Sequence, residues 1–142
     1  MTASLEFRPI QDEDVEEVVA LWVRCGLTRP WNDAVKDIAF ARHGASSDVL
    51  IARLDGAVAA SVMVGHDGHR GTVYYVSVDP VLQGRGLGRQ VMASAEAWLE
   101  QRGIWKINLL LRADNEKTRG FYEALGYVVE PRLCMARKLM QR

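Results

Sequence analysis

Val76-Ser77-Val78-Asp79-Pro80-Val81-Leu82-Gln83-Gly84-Arg85-Gly86-Leu87-Gly88-Arg89 ends a β-rich segment, turns through three alternate glycines and opens an amphipathic helical pattern. Without Cβ atoms the glycines let the loop backbone approach a ligand closely. The helix start adds unpaired N–H groups with the positive end of the helix dipole behind them. Gln83, Gly84, Arg85, Gly86, Leu87, Gly88 and Arg89 therefore read as an anion cradle, with a pyrophosphate as its natural guest and two arginines supplying charge. A plainer reading also fits these residues, a tight turn with arginines on its wet side. A Walker A loop is excluded because Gly-Lys-Ser/Thr is absent, and a dinucleotide fingerprint needs a doubly wound sheet of two mononucleotide halves.

Upstream of the cradle, Leu5 to Ile10 reads as a short strand, and Asp12-Glu13-Asp14 caps a helix whose apolar face is Val15, Val18, Val19, Trp22 and Val23, ending at Gly26. Trp31-Asn32-Asp33 offers a second N-cap, followed by Val35, Ile38, Phe40 and Ala41 in a weaker helix up to Gly44. Val49 to Leu54, the Asp55-Gly56 turn and Ala57 to Val64 make a hairpin, since Asp-Gly suits the positive φ of tight hairpin turns. Thr72 to Val78 then adds a third antiparallel strand.

Downstream, Val91, Met92, Ala95, Trp98 and Leu99 share a helix face and Gly103 lies just past its end. The apolar run Ile104 to Leu111 reads as a strand. With the preceding helix and residues 72–78 it makes one right-handed βαβ crossover, so these two strands are expected to be parallel. A last helix from about Asn115 to Leu125 ends at Gly126, and Tyr127 to Val129 and Cys134 to Leu139 read as two short final strands. The expected class is α+β, a mixed sheet with helices on it, in one domain over residues 1–142.

Composition narrows the function classes. Apolar residues are 49% and charged residues 25%, the usage of an ordinary globular protein. The start lacks a basic segment followed by an apolar run and no stretch approaches 18 uncharged apolar residues, so no membrane role is expected and the cytoplasm is the default location. Net charge is zero, which argues against nucleic acid as the main partner. Residues 1–71 carry 7 basic and 11 acidic side chains, residues 72–142 carry 11 and 7, so the half that holds the cradle is the basic one. Cys25 and Cys134 lie far apart with no Cys/His spacing, and neither a disulfide framework nor a metal site is expected.

At Gln83-x-x-Gly86-x-Gly88 the chain resembles the Q/R-x-x-G-x-G/A signature of the GNAT N-acetyltransferases, placed between strand and helix as in that family. Asn115-Glu-Lys-Thr-Arg-Gly-Phe121-Tyr122-Glu-Ala-Leu-Gly126-Tyr127 is similar to the family's second signature, with Thr118 where alanine is usual. Arg29-Pro-Trp-Asn-Asp33, Asp67-Gly-His-Arg-Gly71 and Tyr74-Tyr75 resemble the small bacterial YpeA-type members most closely.

The resemblance implies the GNAT fold, a central mixed sheet of six to seven strands flanked by about four helices and splayed between the fourth and fifth strands. It implies acetyl-CoA as co-substrate, with no metal, and an amine acceptor as partner; a homodimer is plausible by family habit. The pyrophosphate would sit on the amides from Gly84 to Arg89, and main-chain groups of Val76 and Val78 would bond the pantetheine arm, with a backbone N–H near Val78 facing the developing oxyanion.

Tyr122 is the implied general acid for the departing thiolate, while Phe121, one turn before Leu125, is expected to pack. Asn115 is a candidate cofactor contact, although an Asn at a helix start also serves as an N-cap. Some relatives use a glutamate on the fifth strand as base, but Asn108-Leu109-Leu110-Leu111 has none. Tyr75, His66, Asp67, His69 and Asp33 remain as candidates for that role. Two other functions stay open on the sequence: a non-catalytic acyl-CoA sensor, and a nucleotide-binding oxidoreductase with Asp114 as a ribose ligand.

Overall fold

Asp55 and Gly56 take positive φ values of 53° and 84° and close a tight hairpin between β2 (Ser47–Leu54) and β3 (Ala57–His66). Its strands seed the sheet. β1 (Arg8–Pro9) pairs with the outer edge of β2 and β4 (Gly71–Val78) pairs with β3, all antiparallel, in the order β1-β2-β3-β4. These features come from a computed structural model that describes residues 4–141. It divides into two compact units, one ending at Asn108 and one beginning at Leu109.

Register decides which helix covers which face of the first unit. Val49 and Ile51 share a face with Met63 and Ser61, and there they pack on α1 (Val15–Arg24) and α2 (Ala34–Arg42) in one core with Ile10, Val18, Leu21, Trp22 and Ile38. Val62, Val64, Val73 and Gly71 look the other way, toward α3 (Leu87–Glu100), where a Cβ on Gly71 would come within 2.5 Å of Leu99. Gly71 is thus glycine because α3 lies directly on it. Trp22 is wholly buried, and its Nε1 donates to Ser61 Oγ at 2.8 Å, so the largest core side chain keeps its one polar atom paired.

The helices follow their apolar spacing with two changes of detail. In α1 the buried positions are Val18, Leu21 and Trp22, while Val23 faces solvent. In α2 the buried pair is Ile38 and Ala41, and Phe40 is 83% exposed. All five expected face residues of α3 are buried, joined by Leu87.

The strand count departs from expectation. The α+β class holds, but among the described residues the sheet has four strands rather than six or seven. Leu5 to Ile10 contributes only Arg8–Pro9, and Ile104 to Leu111 makes a single parallel bridge, Gly71 to Ile107. There Gly71 N–H donates to Lys106 C=O and Asn108 N–H to Gly71 C=O, each at 2.9 Å. A strand needs a partner at every second residue, and an apolar run does not specify one. Residues 127–129 and 134–139, expected as strands, carry no regular structure. The second unit contains α4 (Glu116–Ala124), in place of the expected helix from Asn115 to Leu125.

One buried charge ties the first turn to the sheet. Asp14, 1% exposed at its side chain, accepts from Arg8 at 2.8 and 3.1 Å, from Arg53 at 2.7 Å and from the Gln11 N–H at 2.8 Å. These donors, Arg8 foremost, hold its carboxyl well below the usual carboxylate range against the opposing effect of burial. A depressed folded-state pKa stabilises the fold at pH values above the unfolded pKa and loses that contribution as pH falls. Asp14→Asn should therefore cost about 2–4 kcal/mol in urea unfolding at neutral pH, because two arginines lose their shared partner. The gap between wild type and variant should shrink below about pH 4.

Candidate functional site

The edge of β4 carries one residue too many. Tyr74 faces Met63 and Ser77 faces Ser61, so Val62 alone opposes both Tyr75 and Val76. Tyr75 takes a φ of 54°, a left-handed conformation that costs a tyrosine about 1–3 kcal/mol unless its surroundings hold it. Its ring stacks on Trp22 with centroids 3.8 Å apart and planes 3° from parallel, and its hydroxyl donates to Asp37 Oδ2 at 2.8 Å.

The extra residue changes which backbone groups point outward. Asp79 N–H donates to Ala59 C=O at 2.8 Å, which makes 59 with 79 and 61 with 77 the hydrogen-bonded pairs. By alternation, the main-chain groups of Val76 and Val78 turn away from β3. They face the edge on which the described residues form no bridge beyond Gly71. The Val78 carbonyl already accepts from Gln83 Nε2 at 3.2 Å and from Cys25 Sγ at 3.3 Å. Val78 therefore offers the edge its N–H, and Val76 offers both groups.

The chain leaves this edge through Asp79, which accepts from Val81 N–H at 3.2 Å at the head of a 3-10 turn over Pro80–Leu82 and pairs with Arg24 of α1 at 2.9 Å. That pairing anchors the loop to the helix behind it. Gly84 and Gly86 then take φ values of 81° and 77°, and Gly86 is the N-cap of α3 with no side chain capping the helix. No acidic residue stands in the first turn, and Arg85 and Arg89 form no ion pair among the described residues. A helix start with bare N–H groups, two positive-φ glycines and two uncommitted cations fits a pyrophosphate. The outward edge groups fit an amide-bearing arm running into it. The main-chain groups of Val76 and Val78 thus lead into the glycine loop of Gln83 to Gly86 and the start of α3 within the first unit, with the Leu87 side chain in the core.

Asn115 and Tyr122 lie on the second unit. Asn115 is the N-cap of α4, its Oδ1 accepting from Thr118 N–H at 3.1 Å. Tyr122 is 7% exposed and lies edge to face with Phe121 and Tyr127, at 5.0 and 5.5 Å. Its hydroxyl has no hydrogen-bond partner among the described residues, and no buried polar side-chain atom there is left unpaired, so that hydroxyl meets solvent. Burial raises the phenol pKa above its usual value, which keeps the proton on at neutral pH. Phe121, expected to pack, is 36% exposed, so the two aromatic residues divide burial the other way.

Of the candidate bases, Asp33 caps α2 through Lys36 N–H, and His66 Nδ1 accepts from Gly68 N–H. Asp67 accepts from His69 and Arg70 N–H in a turn, bonds that depress its pKa, Arg70's foremost. His69 sits in that same turn, with Nδ1 3.5 Å from Arg70. Sequence reasoning missed Trp22 and Asp37 as partners of Tyr75 and Cys25 as a donor to Val78. Nothing in spacing links residues 38 or 53 positions apart, and these contacts appear only once the helices lie on the sheet.

The chain matches the Acetyltransferase (GNAT) family over residues 10–127 and belongs to that family. An acetyltransferase of Yersinia enterocolitica is 39% identical over 136 residues, 96% of each chain. Solved structures share the fold. An aminoglycoside N-acetyltransferase, AAC(6')-Iy, solved with CoA, superposes with a TM-score of 0.82 at 18% identity over 99% of this chain and 98% of its own. Glucosamine-6-phosphate N-acetyltransferase from Arabidopsis thaliana does so at 0.73, with 20% identity over 97% and 100%. This chain is accordingly an acetyltransferase. No described helix is long and apolar enough to cross a membrane.

Inorganic pyrophosphate should raise the melting temperature of the protein, and the rise should diminish with added salt because the arginine part of the attraction is Coulombic. Gly86→Val should abolish the rise, since a β-branched side chain at a φ of 77° deforms the loop; an undiminished shift in that variant would remove the anion site from this loop.

Proposed function

We propose that the chain transfers the acetyl group of acetyl-CoA to a primary amine, a protein N-terminus, a lysine or a small-molecule amine, by direct attack with Tyr122 as general acid. The observation that carries this reading is the continuity of an outward-facing β4 edge with an uncapped, glycine-lined helix start, in a chain of the GNAT family. Residues 1–142 act as one catalytic domain, a reading supported by a family match that runs through both units. The cytoplasm, where acetyl-CoA is made and used, is the proposed location.

Gly84 to Arg89 hold the pyrophosphate and Val76 and Val78 hold the pantetheine arm, with Gln83 fixing the edge through the Val78 carbonyl. The Val78 N–H faces the acetyl carbonyl, where negative charge grows as the amine nitrogen adds. The C–S bond then breaks, and Tyr122 gives its hydroxyl proton to the sulfur and recovers one from solvent, which its hydroxyl reaches. The amine proton leaves to water, because Asp33, His66 and Asp67 are engaged in caps and turns. Asn115 starts α4 as its N-cap, and its side-chain amide is a further proposed contact of the donor.

Tyr122→Phe removes one hydroxyl and leaves the ring to pack, so thermal stability should stay within a degree or two of wild type. Turnover on a good amine should fall by about 10²–10⁴-fold with acetyl-CoA affinity nearly intact. An acyl donor with a more acidic thiol needs the proton less and should partly rescue the variant. Equal turnover of both proteins would make Tyr122 a packing residue and leave sulfur protonation to solvent.

A further inference from the structure

The strained residue of β4 sits under a clamp that the transfer chemistry does not use. Tyr75 holds a φ of 54°. Three contacts from two helices meet there: the face-to-face stack on buried Trp22 of α1, the hydroxyl bond to Asp37 of α2, and the hydrogen-bonded chain Trp22 Nε1 to Ser61 Oγ to Ser77 Oγ, at 2.8 and 2.6 Å, which pins the strand just past the extra residue. Ser77 Oγ also donates to the Ser61 carbonyl at 3.2 Å. A left-handed tyrosine persists only where its surroundings over-determine it, and here they do.

Removing the extra residue from the outward count would have a definite effect. In an unbulged β4, Tyr75 and Ser77 would present their main-chain groups to the open edge in place of Val76 and Val78. Which residues turn their main-chain groups to that edge therefore depends on the conformation of Tyr75. The glycine loop, held by Asp79 and Arg24, is fixed separately.

We infer that Trp22, Tyr75 and Asp37 form a positioning clamp that presets the β4 edge for the amide-bearing arm of the acyl donor and leaves the phosphate cradle untouched. The donor part of this inference rests on the acetyl-CoA reading above, whereas the effect on the strand does not. Tyr75 and Asp37 are positioning residues, acting through the backbone of Val76 and Val78. Asp37→Asn still presents an amide oxygen to the hydroxyl and should behave like wild type. Tyr75→Phe keeps the stack and loses the hydroxyl bond, and Asp37→Ala loses the acceptor.

The test compares two ligands by calorimetry: acetyl-CoA, which has the arm, and 3′-phospho-ADP, which has only the nucleotide. Tyr75→Phe and Asp37→Ala should weaken acetyl-CoA by about 3- to 10-fold and leave 3′-phospho-ADP unchanged, with Asp37→Asn near wild type. Equal weakening of both ligands, or no weakening of either, would overturn the clamp. Without ligand, amide hydrogen exchange at Val76 and Ser77 should quicken about 3- to 10-fold in Tyr75→Phe while exchange in the β2–β3 hairpin holds. Unchanged exchange along β4 would likewise overturn it. A wild-type protein that binds neither ligand would sink the acetyl-CoA reading instead, and the exchange result would then decide the clamp by itself.

Discussion

Antiparallel pairing alternates, so a strand's backbone groups point at its neighbour and away from it by turns, and one inserted residue exchanges the two sets for the rest of the strand. In this protein the inserted residue is at Tyr75, opposite Val62. The edge half of the proposed site depends on it. It turns Val76 and Val78 outward while Ser77 keeps its bond to Ser61 in the interior. It also places Tyr74 and Tyr75 in succession over the α1–α2 side of the sheet, where strict alternation would have sent one of them to α3. The strain of a left-handed tyrosine is offset by the ring stack and by a buried indole whose own N–H is satisfied.

A rigid edge and an adaptable cradle divide the work of holding a long donor. The cradle attracts charge through helix-start amides and through Arg85 and Arg89, whose exposed guanidinium groups add a modest, salt-sensitive part. The edge adds directional main-chain bonds that set where along the arm the reacting carbonyl falls, so the reacting groups are ordered before the chemical step. The Gln83 and Cys25 bonds to the Val78 carbonyl then have a clear role, since they satisfy an acceptor that the donor does not use. Burial raises the Cys25 thiol pKa, which keeps it a neutral hydrogen-bond donor there.

Features governed by local backbone chemistry were legible in the residues. Asp55-Gly56 announced its own positive φ values, Gly86 its place at a helix start, and the face Val91, Met92, Ala95, Trp98 and Leu99 its burial. Features governed by a distant partner were not. Tyr75 carries no mark of a left-handed residue, because its conformation is imposed by Trp22 and Asp37. Asp14 reads as helix-start charge and is in fact the buried acceptor of Arg8 and Arg53. Ile104 to Leu111 reads as a strand by its apolar run, yet among the described residues it meets β4 in a single bridge, at Gly71 and Ile107. The cradle was read from its glycines, while the edge that leads into it required the register.

The central claim is that the acyl donor completes the open edge of β4 at Val76 and Val78. Residue-resolved amide hydrogen exchange with and without acetyl-CoA tests it most directly. The account predicts that the Val76 and Val78 amides slow markedly on binding while Ser77, already paired with Ser61, does not change. Saturating acetyl-CoA that leaves Val76 and Val78 exchanging as fast as before would contradict it.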